Sequence, residues 1–450
     1  MDLIKPFIEK VLYPEMEKRR GNHIRDYTKE LIEHEALNGG EFDALRRRKL
    51  SALLTVCAEH VPAYRGKIDP ILAKEKPEEA LKKLAPLTKK SFMEAPDSYL
   101  NENVKKENLI ANRTGGSTSE PVHFYLDRKT VEYFEAARWR ALSWYGITPG
   151  SRSVMVWGSP IELSRMEDRR HTLEEKYLKN RIVIPAYALI PESVPRYVKT
   201  IEKYRPEYIY GYSSVLFALS TLIIKQNLRP GIRLKAVVST SETLYDFQRE
   251  AIKNAFSCPV VNEYGARDGG ILAYECPEGP MHVSAENAIL EVVDPCTYEP
   301  LETGRTGLLL VTDLNNVSMP RLRYALGDMA ALCGESCPCG RGMPLLKELS
   351  GRVDDMFVAK DGRLIHGHAF NHVARNLTAI AKFQIRQISP ERAVLRYVLS
   401  ENAAQDEVQT FLDGVSNILA GSEIEMIRVS EIPPDKSGKF RYAIREFDLY

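Results

Sequence analysis

The chain reads as an α/β protein: a large N-terminal domain of mixed sheets and helices that contains a β-rich subdomain, followed by a small α+β domain. Three observations predict this. Short apolar runs alternate with helical patterns from Ser153 to Gly265, paired strand patterns take over near His282, and the apolar segments beyond Gly351 become short. At 450 residues the chain has the length for about two or three domains, each with its own hydrophobic core.

The first hundred residues predict helices, because stretches such as LRRRKLSALLTVCAEHV space their apolar residues at the helical period. TVEYFEAARWRALSWYG continues that pattern and stops at Gly146. Next, SVMVWG, RIVIPAY, EYIYGY, KAVVST and PVVNEYG read as strands, with VPRYVKTIEKY, SVLFALSTLIIKQ and ETLYDFQREAIKNAF as the helices between them. Such alternation predicts a parallel or mixed sheet with crossover helices, and ligands in these folds sit at the carboxyl ends of the strands. AILEVVD and GLLLVTDL, with Gly304 and Gly307 at turn positions, mark the β-rich subdomain, about residues 282–350. FQIRQISPERAVLRYVL predicts a hairpin, EVQTFLDGVSNIL a helix and IEMIRVSEI a strand. These set the expected boundaries at 1–351 for the large domain and 352–450 for the small mobile one, hinged near GRVDD.

Hydrophobic residues make up 44% and charged residues 27% of the chain, with a net charge of +1, so no global basic field recommends nucleic acid or an anionic membrane. MDLIKPFIEKVLYPEMEKRR lacks the apolar core of a signal peptide. The uncharged run from Tyr208 to Ile224 contains tyrosines, serines and a glycine and falls short of the roughly 20 apolar residues of a membrane span; a buried strand and helix is expected there. Seven cysteines are an odd, sparse set, which argues against a disulfide scaffold and for a reducing, cytoplasmic setting.

The stretch NRTGGSTSEPVHFYLD, Asn112 to Asp127, joins glycines to the hydroxyls of Thr114, Ser117, Thr118 and Ser119. Glycines permit close approach and the hydroxyls and amides donate hydrogen bonds, a combination suited to phosphate oxygens. It is not a Walker loop, since no Gly-Lys-Ser/Thr follows at the required spacing. Five further stretches follow in order: SETL (Ser241 to Leu244), EYGARDGG (Glu263 to Gly270), RYALGD (Arg323 to Asp328), SGRVDD (Ser350 to Asp355) and DKSGKFR (Asp435 to Arg441).

In this ordered series the sequence resembles the adenylate-forming superfamily, and within it the branch of phenylacetate-CoA ligases and capsule-biosynthesis adenylating proteins, over roughly residues 50–445. The resemblance implies that Thr114, Gly115, Gly116, Ser117 and Thr118 fold over the β- and γ-phosphates of ATP, and that Ser241 and Glu242 also contact the nucleotide. It places Tyr264 and Gly265 beside the adenine and acyl group and Asp268 at the Mg²⁺-facing carboxylate. The resemblance further implies that Asp328 grips the ribose hydroxyls, that Arg352 contacts ribose or phosphate, that Asp354 is the hinge, and that Lys439 touches the carboxylate and α-phosphate during adenylation, with Lys436 as its rival. Three departures from the family pattern stand out: Ser119 replaces a loop glycine, Val122 or His123 stands where a lysine often follows the loop proline, and Asp268 is an aspartate where glutamate is usual.

Cys276, His282, Cys337 and Cys339 are spaced to form a closed structural zinc site, with Cys333 as an alternative ligand and buried free thiols as the alternative reading. The function implied by the resemblance is activation of a small carboxylic acid by ATP to an acyl-adenylate, then transfer to a thiol, with coenzyme A as co-substrate. Trp157, Tyr212 and Tyr264 are candidates to line an aromatic acyl pocket. A hydroxyl, amine or carrier-protein acceptor and a catalytically silent nucleotide-binding homologue are the alternatives, and a homodimer is among the assemblies the reading admits.

Overall fold

The computed structural model describes residues 4–114, 122–157, 169–185, 189–352, 356–360, 364–374, 377–401, 403–433 and 440–447. The chain divides into two compact units, one made of residues 1–326 and 330–348 and the other of 327–329 and 349–450. Gly115, Gly116, Ser117, Thr118, Asp354 and Lys439 lie outside the described residues.

A small antiparallel pair, β1 (Ile110–Arg113) and β2 (His123–Leu126), frames the hydroxyl-rich loop. The strands foreseen from the apolar runs follow as β3 (Ser153–Trp157), β4 (Arg181–Pro185), β5 (Tyr208–Tyr212), β6 (Ala236–Thr240) and β7 (Val260–Ala266), and they pair in parallel. The sheet then runs on through β8 (Gly270–Glu275), β9 (Met281–Val283), β10 (Ala288–Val293), β11 (Gly307–Asp313), β12 (Tyr324–Cys333) and β13 (Leu345–Arg352). These belong to one eleven-stranded sheet of order β10-β11-β12-β13-β9-β8-β7-β6-β5-β3-β4. The β-rich stretch therefore does not fold as a sheet apart. AILEVVD and GLLLVTDL form the antiparallel β10–β11 pair, with Ala288 opposite Asp313.

Burial explains why these runs read as they do. Every residue of β6 and of β11 is buried, as happens where both faces of a sheet are covered, so the alternation of a half-exposed strand disappears. One face carries the helices Val194–Tyr204, Ser213–Lys225 and Asp246–Phe256, whose buried residues include Tyr197, Val198, Ile201, Leu216, Leu219 and Ile252. On the first of these, Val194, Tyr197, Val198 and Ile201 form the apolar stripe expected of a helix on a sheet. The opposite face takes the helix Arg128–Ser143, where small Ala136, Ala137 and Ala141 pack with Tyr208, Ala236, Val238 and Val261. Asp127 starts that helix by accepting from the Thr130 amide at 2.7 Å. The Tyr208–Ile224 run is the buried strand β5 followed by the helix Ser213–Lys225.

In the second unit, β14 (Met356–Val358) and β15 (Leu364–His366) pair antiparallel. A four-stranded sheet has the order β18-β17-β16-β19, from β16 (Ile380–Ser389), β17 (Arg392–Leu399), β18 (Glu423–Arg428) and β19 (Ala443–Arg445). The hairpin β16–β17 and the helix Gln405–Ile418 match the sequence expectation. Phe357, Phe370, Phe383, Ile385, Leu395, Phe411 and Val415 make the core of this unit. Buried Gln387 ties β14 to β16, accepting from the Val358 amide at 2.8 Å and donating to its carbonyl at 2.7 Å. The strand β19, only three residues long, leaves no periodic signal; it exists because it lies parallel to β16.

Candidate functional site

The carboxyl ends of the parallel strands gather most of the residues singled out in the first unit. β7 carries Glu263, Tyr264 and Gly265 near its carboxyl end; its neighbour β6 ends at Thr240, followed by Ser241 and Glu242; β5 ends at Tyr212 and β3 at Trp157. Glu263, 2% exposed, organises this edge. Its carboxylate accepts from Tyr210 Oη at 2.6 Å, Thr240 Oγ1 at 2.9 Å and Arg138 Nε at 3.2 Å. Burial pushes the Tyr210 phenol well above its ordinary range, so it remains a donor. The Trp157 ring lies 4.0 Å from Tyr212 and 5.9 Å from Tyr210, giving the edge an aromatic wall.

The turn after β6 carries strain. Ser241 has φ 66°, in the left-handed region that costs a side chain with a Cβ. Beyond it Glu242 reaches back to the helix Ser213–Lys225: its carboxylate accepts from the Ser214 amide at 2.8 Å, while Ser213 Oγ donates to the Glu242 carbonyl at 3.1 Å. An acid at a helix N-terminus meets unpaired amides and the positive end of the helix dipole. Glu242 thus holds the SETL turn in place through the helix it caps.

Between β7 and β8 the chain reverses at Ala266–Gly270. The pairing register shifts between Tyr264 and Gly265, a bulge that re-aims the strand end. Gly270 has φ 78°, and a Cβ there would meet the Phe134 ring at 2.2 Å, so only glycine fits. Asp268, 6% exposed, occupies this turn, and its Oδ2 has no hydrogen-bond partner among the described residues. A buried carboxylate oxygen without a donor is a fit for a hard divalent cation.

At the base of the hydroxyl-rich loop, the Thr114 amide donates to the Val122 carbonyl and Thr114 Oγ1 accepts from the Val122 amide, both at 3.0 Å. That rung closes the loop opening. Val122 is buried and His123 exposed, so a buried aliphatic side chain directly follows the loop.

In the second unit, half-buried Asp328 lies on β12 and Arg352 closes the backbone of β13. The flanks of the segment bearing Lys439 are fastened to β16. Lys382 Nζ donates to the Ile432 carbonyl at 2.6 Å and stands 4.1 Å from the Phe440 ring centre, and Gln384 Nε2 donates to the Arg441 carbonyl at 3.0 Å.

The four residues foreseen as soft ligands come together. One ligand atom each from Cys276, His282, Cys337 and Cys339 lies within 4.8 Å of the others. Cys276 Sγ is 3.6 Å from Cys337 Sγ and Cys339 Sγ is 3.2 Å from His282 Nε2. These separations exceed the roughly 2.05 Å of a disulfide and resemble the edges of a tetrahedron with ligands about 2.0–2.3 Å from its centre. None of the seven cysteines is in a disulfide, and Cys333 packs beside the cluster without belonging to the four. Burial, helped by Arg341 and Arg140, holds His282 down at about 4, so its imidazole is neutral and able to ligate. Burial raises the Cys339 thiol, but hydrogen bonds from the Arg341 amide, from Cys337 and from the Arg341 side chain outweigh it and bring the thiol below its ordinary value. With four protein ligands, such a site has no open position, which is the mark of a structural centre.

Sequence reasoning missed Tyr210, Thr240, Arg138 and Glu263 as a unit, because their three hydrogen bonds join positions 23–125 residues apart. The available signal was a glutamate near the end of a strand that begins Val260, Val261.

Residues 357–446 match the family model described as the CapK C-terminal domain. Protein CapK of Staphylococcus aureus is 25% identical over 377 residues, covering 81% of this chain and 80% of that protein. The phenylacetate-coenzyme A ligase of Thermus thermophilus is 27% identical over 336 residues, covering 73% and 74%. Among solved structures, 2-hydroxyisobutyryl-CoA ligase in the postadenylation state in complex with R3-HIB-AMP has the same fold, with TM-score 0.72, 20% identity and coverage of 92% of this chain and 91% of that one. The motif order, the carboxyl-edge geometry and these relatives together support the resemblance to the adenylate-forming superfamily, in the branch of CapK and the phenylacetate-CoA ligases.

Proposed function

We propose that the chain is an AMP-forming acid–thiol ligase. A substrate carboxylate attacks the α-phosphate of ATP, forming acyl-adenylate and releasing pyrophosphate; a thiol, with coenzyme A the favoured acceptor, then attacks the acyl carbon and AMP and a proton leave. The observation that carries the reading is the arrangement at the carboxyl edge of the parallel strands. There the strained Ser241 turn, the Tyr264–Gly265 bulge and Asp268, whose Oδ2 has no hydrogen-bond partner among the described residues, lie at or just beyond the carboxyl ends of the adjacent parallel strands β6 and β7, and several phenylacetate-coenzyme A ligases are relatives.

Two anions must approach each other in adenylation, so donors and positive charge have to stand ready where charge accumulates. In this reading the loop of Thr114, Gly115, Gly116, Ser117 and Thr118 holds the terminal phosphates, Asp328 accepts from the ribose hydroxyls, and Arg352 and Lys439 bring cationic charge. Asp268 and its neighbours would hold Mg²⁺, which supplies charge neutralisation on the triphosphate. Asp354 serves as the hinge. Trp157 and Tyr212 provide an aromatic wall for the acyl group and favour an aromatic or apolar acid. Cys276, His282, Cys337 and Cys339 would hold a structural zinc that pins the loop before β9 to the loop before β13. A second reading keeps the adenylation and changes the acceptor to a hydroxyl, an amine or a carrier protein; Protein CapK, whose name states no thiol acceptor, is among the relatives.

Release of pyrophosphate across a panel of carboxylic acids, with and without coenzyme A, tests the function. Acid-dependent release, with a thioester and free AMP when coenzyme A is added, is expected; pyrophosphate release without thioester selects the second reading, and no acid-dependent release defeats both. Lys439→Ala should lower adenylation by about 10²–10³-fold, the loss typical of one transition-state donor, while thioester formation from supplied acyl-adenylate falls much less. Equal losses would contradict its assigned role. Purified protein should carry about one zinc per chain, and Cys276→Ser or Cys337→Ser should release it to a colorimetric chelator; zinc-free wild-type protein would refute the centre.

A further inference from the structure

Arg321 belongs to none of the motifs used above, yet it is 3% exposed and occupies a demanding position. Its guanidinium carbon lies 4.6 Å from the Phe124 ring centre, 5.4 Å from Tyr324 and 5.9 Å from Phe92. A planar, weakly hydrated cation is the group that suits such an aromatic cage. From the cage Nη2 donates to the backbone carbonyl of Asp268 at 2.6 Å. Arg321, Asp268 and Asp313 line one recess, in which Asp313 Oδ1 accepts from the Asn315 amide at 2.9 Å.

The choice of atom matters. Arg321 grips the main chain of Asp268, while Asp268 Oδ2 keeps no partner among the described residues. An ion pair with that oxygen would compete with an incoming cation; a bond to the carbonyl fixes the turn without engaging the oxygen. Phe124, under the guanidinium, is on β2, two residues past Val122, which closes the hydroxyl-rich loop. One side chain therefore touches both the strand leaving that loop and the turn that carries Asp268.

We propose that Arg321 is a positioning residue that sets the Asp268 turn against strand β2, so that the Asp268 carboxylate is held in place to meet a divalent cation bound with the nucleotide. The proposal rests on the reading of Asp268 as the metal-facing carboxylate. Its sign separates it from simple electrostatics: removing a positive charge beside a carboxylate would by Coulomb attraction alone tighten cation binding, whereas losing the positioning bond weakens it.

The test uses the full chain, with Mn²⁺ binding followed by electron paramagnetic resonance in the presence of a non-hydrolysable ATP analogue. Asp268→Asn and Arg321→Met should each weaken Mn²⁺ binding by about 10-fold or more, the range typical of ligands and of the groups that orient them. Arg321→Lys should fall between, since an ammonium keeps a donor but not the planar stacking. Binding of the analogue without metal should stay at the wild-type value. Mn²⁺ affinity equal to or above wild type in Arg321→Met, with Asp268→Asn weakened, overturns the positioning role and leaves the Asp268 reading intact. Wild-type Mn²⁺ affinity in Asp268→Asn removes that reading itself. If thermal melting shows Arg321→Met unfolded, Arg321→Lys and Phe124→Leu decide, and unchanged Mn²⁺ affinity in both overturns the proposal.

Discussion

Glu263 is the buried charge on which the functional edge of the large sheet depends. Its two oxygens accept from Tyr210 on β5, Thr240 on β6 and Arg138 on the helix Arg128–Ser143, so one carboxylate on β7 binds three separate elements. A charge at this depth is tolerable only while its donors are present; stripped of its partners it would cost about 3–5 kcal/mol. The consequence reaches the next residues along. Tyr264, Gly265 and the Asp268 turn follow directly from Glu263, and Ser241 and Glu242 follow directly from Thr240. Irregular backbone in both segments begins where the hydrogen-bonded framework ends, and it is held from behind by a network that faces the sheet.

The irregular segments have supports of their own. Ser241 tolerates a left-handed backbone because Glu242 is locked onto the N-terminus of the helix Ser213–Lys225. The Asp268 turn is fixed from two sides, by Phe134 against Gly270 and by Arg321 on the Asp268 carbonyl. Rigid supports around a few unsatisfied polar atoms are what a site needs if it is to meet developing charge without reorganising. The cysteine–histidine cluster belongs to a different task. It lies beside Trp144, whose ring is 5.5 Å from His282 and whose Nε1 donates to Glu35 at 2.7 Å, so it braces the N-terminal helical region against the loops around β9 and β13.

Much of this was legible in the sequence because local period and burial agree. The parallel strands are apolar at nearly every position, and β4, β5 and β6 are each followed by a helix that packs on the sheet, as VPRYVKTIEKY does with its stripe at the 3.6-residue period. The hairpin of the second unit was readable for the same reason. Other features were not legible, for physical reasons. β19 has three residues and depends on a partner strand 58 or more residues earlier. The continuation of the parallel strands into β8–β13 as one sheet depends on pairings such as Leu345 with His282, which no local pattern announces. At the site, Asp268, Tyr264 and the cysteine–histidine set stood out by residue type and order. Glu263 and Arg321 did not, since a charged residue in a strand or a loop looks like surface until its buried partners are known.

The central claim is that nucleotide and acyl group lie along the carboxyl edge of β5, β6 and β7, between the Ser241 turn, the Asp268 turn and the β1–β2 hairpin. Amide hydrogen exchange on the intact chain, with and without a non-hydrolysable acyl-sulfamoyl adenosine, addresses it most directly. The account predicts slowed exchange in the first unit at residues 110–126, 240–244 and 263–270, with further protection only at the ends of β3 and β5 beside Trp157 and Tyr212. Saturating binding that leaves those three segments unchanged, with protection elsewhere in that unit, would contradict it.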